Sequence, residues 1–216
     1  MLSLSVLSLY LAALVAVYIL PGPDMALVMA TSASRGVGAG LLTALGIAAS
    51  RFLHVMMSGL GLAALMATHP LLFDAVRWVG AGYLLWLAWK VVRSKPAPED
   101  APQATESGRA AIARGFLTNL LNPKALMFCA LFLPQFVSPA HGAVLPQFAL
   151  LAVILVAVGL CFDTAYAFAA CGIARRLKGR GPAEKLQKGL LGGVFVLMAG
   201  RPFVANPDLP QRLRTG

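Results

Sequence analysis

The chain has 216 residues, of which 59% are hydrophobic and 12% charged, and its formal net charge is +10. A soluble domain carries about 25% charged residues, so the composition excludes an ordinary soluble domain and predicts one polytopic domain, residues 1–216, embedded in the lipid bilayer. The excess of Lys and Arg is typical of cytoplasmic loops in inner-membrane proteins, so no nucleic-acid partner is needed to explain it.

Six apolar segments in chain order predict six transmembrane helices and an all-α fold. They span about residues 4–33, 38–68, 73–92, 115–137, 145–173 and 186–205. The sixth is the weakest, because Arg201 and Pro202 lie near its end. Residues 93–114, rich in proline and acids, are predicted to be a solvated loop, and residues 206–216 form a tail. No basic region precedes the first apolar run, so we expect no cleaved signal peptide.

The first segment contains the motif Pro21-Gly22-Pro23-Asp24. Each proline costs roughly 3 kcal/mol in a helix interior, and the glycine adds about 1 kcal/mol. A carboxylate at depth adds roughly 2.5–3.5 kcal/mol. Irregular backbone at that depth survives only where protein or a water-filled cavity satisfies it. A broken helix that carries a charge is typical of the substrate sites of secondary transporters.

The second half of the chain echoes the first. Its opening segment is interrupted at Asn122-Pro123-Lys124, at a depth comparable with the first break. With three segments in each half, the second half must enter the membrane from the opposite side. We therefore predict two inverted three-helix repeats, about residues 1–95 and 115–205, with helices 1 and 4 broken and the binding site at the repeat interface.

Four charged residues lie within the apolar segments: Asp24, Arg51, Lys124 and Asp163. At roughly 3 kcal/mol each, exposure to lipid is too costly, so they must face inward. They can simply form salt bridges that hold the bundle together. They can also line a polar cavity, in which the half-helix N-termini and Lys124 bind a carboxylate while Asp24 or Asp163 receives an ammonium or a proton. Such a cavity suits a zwitterion.

The distribution of Lys and Arg predicts the orientation. Four basic residues lie on one side of the predicted bundle: Arg77, Arg201, Arg212 and Arg214. The opposite side, which includes the loop at residues 93–114, holds twelve: Arg35, Lys90, Arg93, Lys95, Arg109, Arg114, Arg175, Arg176, Lys178, Arg180, Lys185 and Lys188. That side is predicted to be cytoplasmic, so both termini are expected in the periplasm if the sixth span is real.

Several motifs resemble the lysine exporter and homoserine/threonine exporter (LysE/RhtB) family of bacterial inner-membrane amino-acid efflux proteins. They are Pro21-Gly22-Pro23-Asp24, Ala44-Leu45-Gly46-Ile47 leading to His54, Gly59-Leu60-Gly61-Leu62, Gly80-Ala81-Gly82-Tyr83-Leu84-Leu85, the stretch from Gly115 through Asn119 and Asn122-Pro123-Lys124 to Leu126, and Leu133-Pro134-Gln135-Phe136. The resemblance covers nearly the whole chain. It implies six helices in inverted repeats and export of amino acids or similar metabolites by proton antiport. Arg51 departs from the family pattern, so the resemblance does not specify the substrate.

The candidate substrate-binding residues are Pro21, Gly22, Pro23, Asp24, Arg51, Asn119, Asn122, Pro123, Lys124, Asp163 and Tyr166. The candidate proton-coupling residues are Asp24, Asp163 and His54, because a histidine can relay protons near neutral pH. His54 is equally compatible with a hydrogen-bonded interior histidine.

Smaller features have structural interpretations. Cys129, Cys161 and Cys171 lie in apolar stretches without metal-ligand spacing, so we expect buried side chains and no disulfides. The following glycines are predicted to be close-packing positions between helices: Gly36, Gly38, Gly40, Gly46, Gly59 and Gly61.

Two other classes of function stay open at this stage. A passive channel for small solutes would need a continuous polar stripe, whereas polarity here concentrates at the two breaks. A membrane enzyme would need an acid/base pair near one membrane face, and the sequence contains no nucleophile–base pair, phosphate loop or metal cluster. We therefore expect no enzyme, no catalytic residue, no cofactor and no metal. The expected partners are an amino-acid-like substrate and protons, and a homo-oligomer is left open.

Overall fold

The computed structural model describes residues 3–61, 107–138 and 142–177, together with six helical residues at positions 78, 79, 82, 85, 86 and 89. Its α-helices are α1 (Leu4–Ile19), α2 (Pro23–Arg35), α3 (Val37–Gly59), α4 (Gly108–Leu120), α5 (Pro123–Met127) and α6 (Val144–Leu177). A π-helical turn, Phe128–Phe132, and a 3-10 turn, Leu133–Phe136, follow α5 directly. These described ranges contain helices and no strand, which confirms the all-α class.

Both predicted helix breaks are present. Leu20 and Gly22 have extended backbone between α1 and α2, and the two helices meet at an angle of 56°. Asn122 is extended between α4 and α5, where the angle is 55°. Each second half-helix begins at a proline, whose fixed φ and missing N–H suit the first helical position. The prolines therefore end one half-helix and start the next.

The helix bounds refine the predicted segments. By length and hydropathy, α3 and α6 can each cross a membrane, and each bent pair passes as one span, so the described part holds two to four candidate spans. α3 ends at Gly59, whereas the second segment was predicted to run to residue 68. α4 begins at Gly108, inside the predicted loop. Most of the third segment and all of the sixth lie outside the described residues.

Glycines allow α3 and α4 to touch through their backbones. A Cβ at Gly46 would collide with the main chain of Ile112, and a Cβ at Gly115 would collide with that of Thr43. Gly40 and Gly59 also pack closely against neighbouring side chains, as predicted. At three others an added Cβ would meet no described atom within 4 Å, so the described residues give no close packing there: Gly36, Gly38 and Gly61. Of these, Gly36 and Gly61 make turns with φ of 87° and 79°.

Among the described residues, two apolar clusters lie at different levels along the helix axes. The first cluster joins α1, the end of α3, the segment after α5 and the start of α6, with members such as Leu14, Val55 and Leu155. The second cluster is formed by Val28, Ala44, Ile47 and Ala167. Along α3, Arg51 lies between the two clusters, and along α6 Asp163 does so. The buried charges therefore occupy a layer with apolar packing on either side.

The three cysteines are free thiols. Cys129 and Cys171 are buried, as predicted. Cys161 is exposed on α6, so the prediction that it is buried was wrong. Its apolar sequence context is explained equally well by a lipid-facing position, because a membrane helix is apolar on its outer surface as well as inside.

Replacing Gly46 with alanine should destabilise the protein by about 1–3 kcal/mol, because the added methyl group must displace the backbone of α4. The matched change Gly38→Ala, on the same helix, adds a methyl group in open space and should be neutral or slightly stabilising. Thermal unfolding of the purified variants in detergent measures the difference. Equal melting temperatures for the two variants would contradict the close α3–α4 contact.

Candidate functional site

A buried arginine joins two carboxylates at the centre of the bundle. Arg51 on α3 donates to Asp163 on α6, with Nη1 2.6 Å from Oδ2 and Nη2 3.4 Å from Oδ1. Its Nη2 also lies 3.4 Å from Oδ2 of Asp24, in the first turn of α2. Three helices therefore meet through one guanidinium, whose planar fork suits such multiple pairing. The expectation that Arg51 faces inward and pairs with buried acids is confirmed.

The residues around Arg51 leave a space that fits its guanidinium. The side chain of Tyr18 lies against it, with the ring centroid 4.8 Å from Cζ, which is a cation–π distance. The hydroxyl of Tyr18 donates to the carbonyl of Leu155 at 3.0 Å. A Cβ at Gly159 of α6 would collide with both the guanidinium and the Tyr18 hydroxyl. Glycine at this position therefore leaves the space that the arginine occupies.

Two asparagines from the second break hold Asp24. Nδ2 of Asn119 donates to Oδ2 of Asp24 at 2.7 Å, and Nδ2 of Asn122 donates to Oδ1 at 3.1 Å. Asn122 also caps α5, because its Oδ1 accepts from the backbone N–H of Lys124 at 3.0 Å. The first and second breaks are thus hydrogen-bonded to each other. One of the N–H groups expected to bind a substrate carboxylate is occupied by this cap.

Lys124 reaches back to the end of α1. Its ammonium donates to the carbonyls of Val17, at 2.5 Å, and Leu20, at 2.9 Å. Tyr166 of α6 donates to the carbonyl of Tyr18 at 2.8 Å. These carbonyls belong to the last turn and end of α1, where intrahelical partners are missing and the helix dipole favours a cation. Lys124 therefore stabilises the first break directly, a contact that the sequence did not predict.

A cavity of about 50 Å³ lies between the two breaks. It has room for a few water molecules. Nine of the predicted site residues line it: Gly22, Asp24, Arg51, His54, Asn119, Asn122, Lys124, Asp163 and Tyr166. Pro21, Pro23 and Pro123 do not line it, because their rings shape the breaks and the neighbouring residues face the cavity. Asp24 is its more accessible acid, with a side chain 15% exposed against 2% for Asp163.

Sequence reasoning missed several lining residues. Most are apolar and include Leu14, Met25, Phe128 and Leu155. The most important of the missed residues is Tyr18. Its ring contacts Arg51, and its backbone carbonyl accepts a hydrogen bond from the hydroxyl of Tyr166. A polar hydroxyl in the last turn before the first break is the sequence feature that could have identified it. No group of three or more potential metal ligands occurs in the described part of the chain.

Comparison with known proteins identifies the family. The model of the LysE type translocators matches residues 15–204. The chain belongs to this family. A leucine efflux protein of Enterobacter sp. (strain 638) is 32% identical over 187 residues, which are 86% of this chain and 89% of that protein. A leucine efflux protein of Klebsiella pneumoniae is 31% identical over 194 residues, 89% of this chain and 92% of that protein.

A homoserine/homoserine lactone efflux protein of Salmonella typhimurium is 31% identical over 179 residues, covering 82% of this chain and 86% of that protein. No solved structure matches the chain significantly. The predicted resemblance is therefore confirmed at the level of the family. The chain is a membrane translocator rather than an enzyme, as the sequence predicted.

Removing the guanidinium should be strongly destabilising. Arg51→Met leaves two carboxylates without their shared cation, and we expect a loss of about 3–5 kcal/mol in unfolding free energy. The double variant Arg51→Met/Asp163→Asn should recover part of that loss, because it removes the most buried unpaired charge. Thermal unfolding of both variants in detergent provides the measurement. Unchanged stability and substrate profile in the single variant would show that the arginine is dispensable.

Proposed function

We propose that this chain is a secondary transporter of the bacterial inner membrane that exports amino acids or related small zwitterions by proton antiport. The observation that carries the proposal is the buried, charge-balanced cluster beside a cavity at two helix breaks. Two acids, Asp24 and Asp163, lie with two bases, Arg51 and Lys124, around the same space. A site of this kind binds a zwitterion without adding net charge to the membrane interior.

The proposed architecture is six transmembrane helices arranged as two inverted repeats. In support, each half has a broken helix followed by a long one, and the two breaks bend by nearly the same angle. The first broken helix, α1 with α2, runs from the first apolar cluster towards the second. The second broken helix, α4 with α5 and the turns that follow, instead ends in the first cluster at Leu133 and Phe136. This opposite direction is what inverted repeats require.

The proposed substrate site comprises the predicted residues at the two breaks together with Arg51, Asp163 and Tyr166. The relatives are named for export of leucine and of homoserine or its lactone. We propose that the bundle rearranges to admit an amino acid of that size into the cavity of about 50 Å³. The apolar lining side chains, such as Leu14 and Phe128, suit an uncharged substrate side chain.

Proton coupling is proposed to involve Asp24, Asp163 and His54, all of which line the cavity. A carboxylate that is paired with Arg51 in one state and protonated in another exchanges a proton without leaving a bare charge in the membrane. With both termini in the periplasm, the first apolar cluster would close the periplasmic side and the second the cytoplasmic side. Alternating access then requires each cluster to open in turn.

Reconstitution of the full chain into proteoliposomes tests this function. Vesicles are loaded with radiolabelled leucine or homoserine, and an external acid pulse sets an inward proton gradient. We expect the gradient to accelerate efflux, and an uncoupler to abolish that acceleration. Flux that is independent of the proton gradient would instead favour a passive channel, and the absence of flux for a broad amino-acid panel would reject the proposal.

Asp24→Asn should reduce gradient-driven efflux at least about ten-fold, because the amide cannot exchange a proton with the cavity. Asp24→Glu keeps a carboxyl group and should retain a measurable part of the activity. The measurement is initial efflux with and without the proton gradient, normalised to the amount of folded protein. Full proton-driven efflux by Asp24→Asn would exclude Asp24 from coupling.

A further inference from the structure

Two buried polar atoms at the cavity have no hydrogen-bond partner among the described residues. They are Oδ1 of Asn119 and Nδ1 of His54. Asn119 is completely buried, His54 is 3% exposed, and both side chains line the cavity. Buried polar atoms are almost always hydrogen-bonded in folded proteins, because leaving them unpaired is costly. Two such atoms on one cavity therefore point to a ligand that satisfies them.

The chemistry of the first atom is fixed by Asp24. A carboxylate only accepts hydrogen bonds, so the amide nitrogen of Asn119 must face Asp24, as the 2.7 Å contact requires. The carbonyl oxygen of the same amide is then an acceptor without a partner among the described residues. This assignment follows from the donors and acceptors present, because exchanging the amide atoms would place oxygen against oxygen.

The second atom belongs to the imidazole of His54. A neutral imidazole has one acceptor nitrogen, and Nδ1 is that acceptor in the tautomer that carries its proton on Nε2. An ammonium bound at Nδ1, the atom without a partner among the described residues, would select this tautomer because it offers only donors. The cavity is therefore lined by three residues that offer acceptors: the Asp24 carboxylate, Asn119 Oδ1 and His54 Nδ1.

We propose that Asp24, Asn119 and His54 form a subsite for a primary ammonium group and so select substrates whose amino nitrogen is not alkylated. A primary ammonium carries three N–H donors and one positive charge, which match three acceptors that include one carboxylate. Alkali cations prefer oxygen ligands, so an imidazole nitrogen fits them less well. The subsite rests on the proposed function, because it assigns the amino end of the proposed zwitterion.

The subsite lies on the Asp24 side of the ion-pair cluster. Asp163 is held by both terminal nitrogens of Arg51 and has a side chain only 2% exposed. Asp24 contacts Arg51 only at 3.4 Å and is the more accessible acid. A substrate ammonium can therefore bind Asp24 while the Arg51–Asp163 pair stays intact.

Equilibrium binding to the purified full chain in detergent tests the subsite with two probes, L-leucine and N,N-dimethyl-L-leucine. Both carry the same charge, carboxylate and side chain, but the dimethylated ammonium has one N–H in place of three. Two acceptors would stay unpaired in its complex, so leucine should bind about ten-fold more tightly or better. The ratio of the two dissociation constants is the readout, and it is insensitive to a general loss of active protein.

Variants of His54 separate hydrogen bonding from steric exclusion. His54→Leu removes the acceptor at similar volume and should reduce the ratio by about three-fold or more. His54→Asn places an amide oxygen near the position of Nδ1 and should keep the ratio within about two-fold. Phe52→Leu changes an exposed residue of the same helix, 48% exposed, and should leave the ratio unchanged. If His54 had only a structural role, His54→Asn would not preserve the ratio that His54→Leu reduces.

Equal binding of the two probes, failure of both to bind, or an unchanged ratio in His54→Leu would overturn the subsite. Transport is scored separately. Proton-driven leucine efflux combined with equal binding of both probes would refute the subsite and leave the proposed function intact. Discrimination between the probes without any transport would support the subsite and refute the proposed function.

Discussion

Charged groups inside a membrane are energetically costly, and in this bundle the ion pairs of Arg51 offset that cost. A lone guanidinium or carboxylate at this depth costs several kcal/mol, so the arginine and its acids must be brought together. Asp24, Arg51 and Asp163 come from α2, α3 and α6, which fixes the relative position of those three helices. Gly159 and Tyr18 then complete a pocket of the right size for the guanidinium.

The two helix breaks satisfy each other's backbone and charges. Lys124, from the second break, binds carbonyls at the end of α1, and Asn119 and Asn122 hold the acid at the start of α2. Each break leaves polar groups that a membrane cannot solvate, and the partner half supplies the missing donors. Neither broken helix can therefore be understood alone, and the pair behaves as one polar unit inside an apolar bundle.

The sequence predicted those parts of the structure that follow from large energetic penalties at particular residues. Pro23 and Pro123 marked the breaks, and the cost of buried charge predicted that Arg51 would meet acids. The sequence could not predict which groups a buried charged side chain would bind. The sequence predicts that Lys124 serves a substrate carboxylate or balances an acid. It gave no sign that the ammonium also donates to main-chain carbonyls, because every residue has one and no pattern distinguishes them. Gly36 and Gly38, predicted as packing positions, have no described atom within 4 Å of an added Cβ, because close approach depends on the neighbouring helix and not on the glycine alone.

A single residue, Gly36, connects α2 and α3, and its φ of 87° makes the chain reverse there without a loop. Asp24 lies twelve residues from this corner, a lever arm of about 18 Å at 1.5 Å per residue. Tilting α2 about Gly36 by roughly 10° would carry the carboxylate by about 3 Å, comparable with its present separation from Arg51. A small tilt at this corner would therefore be enough to make or break an ion pair inside the bundle.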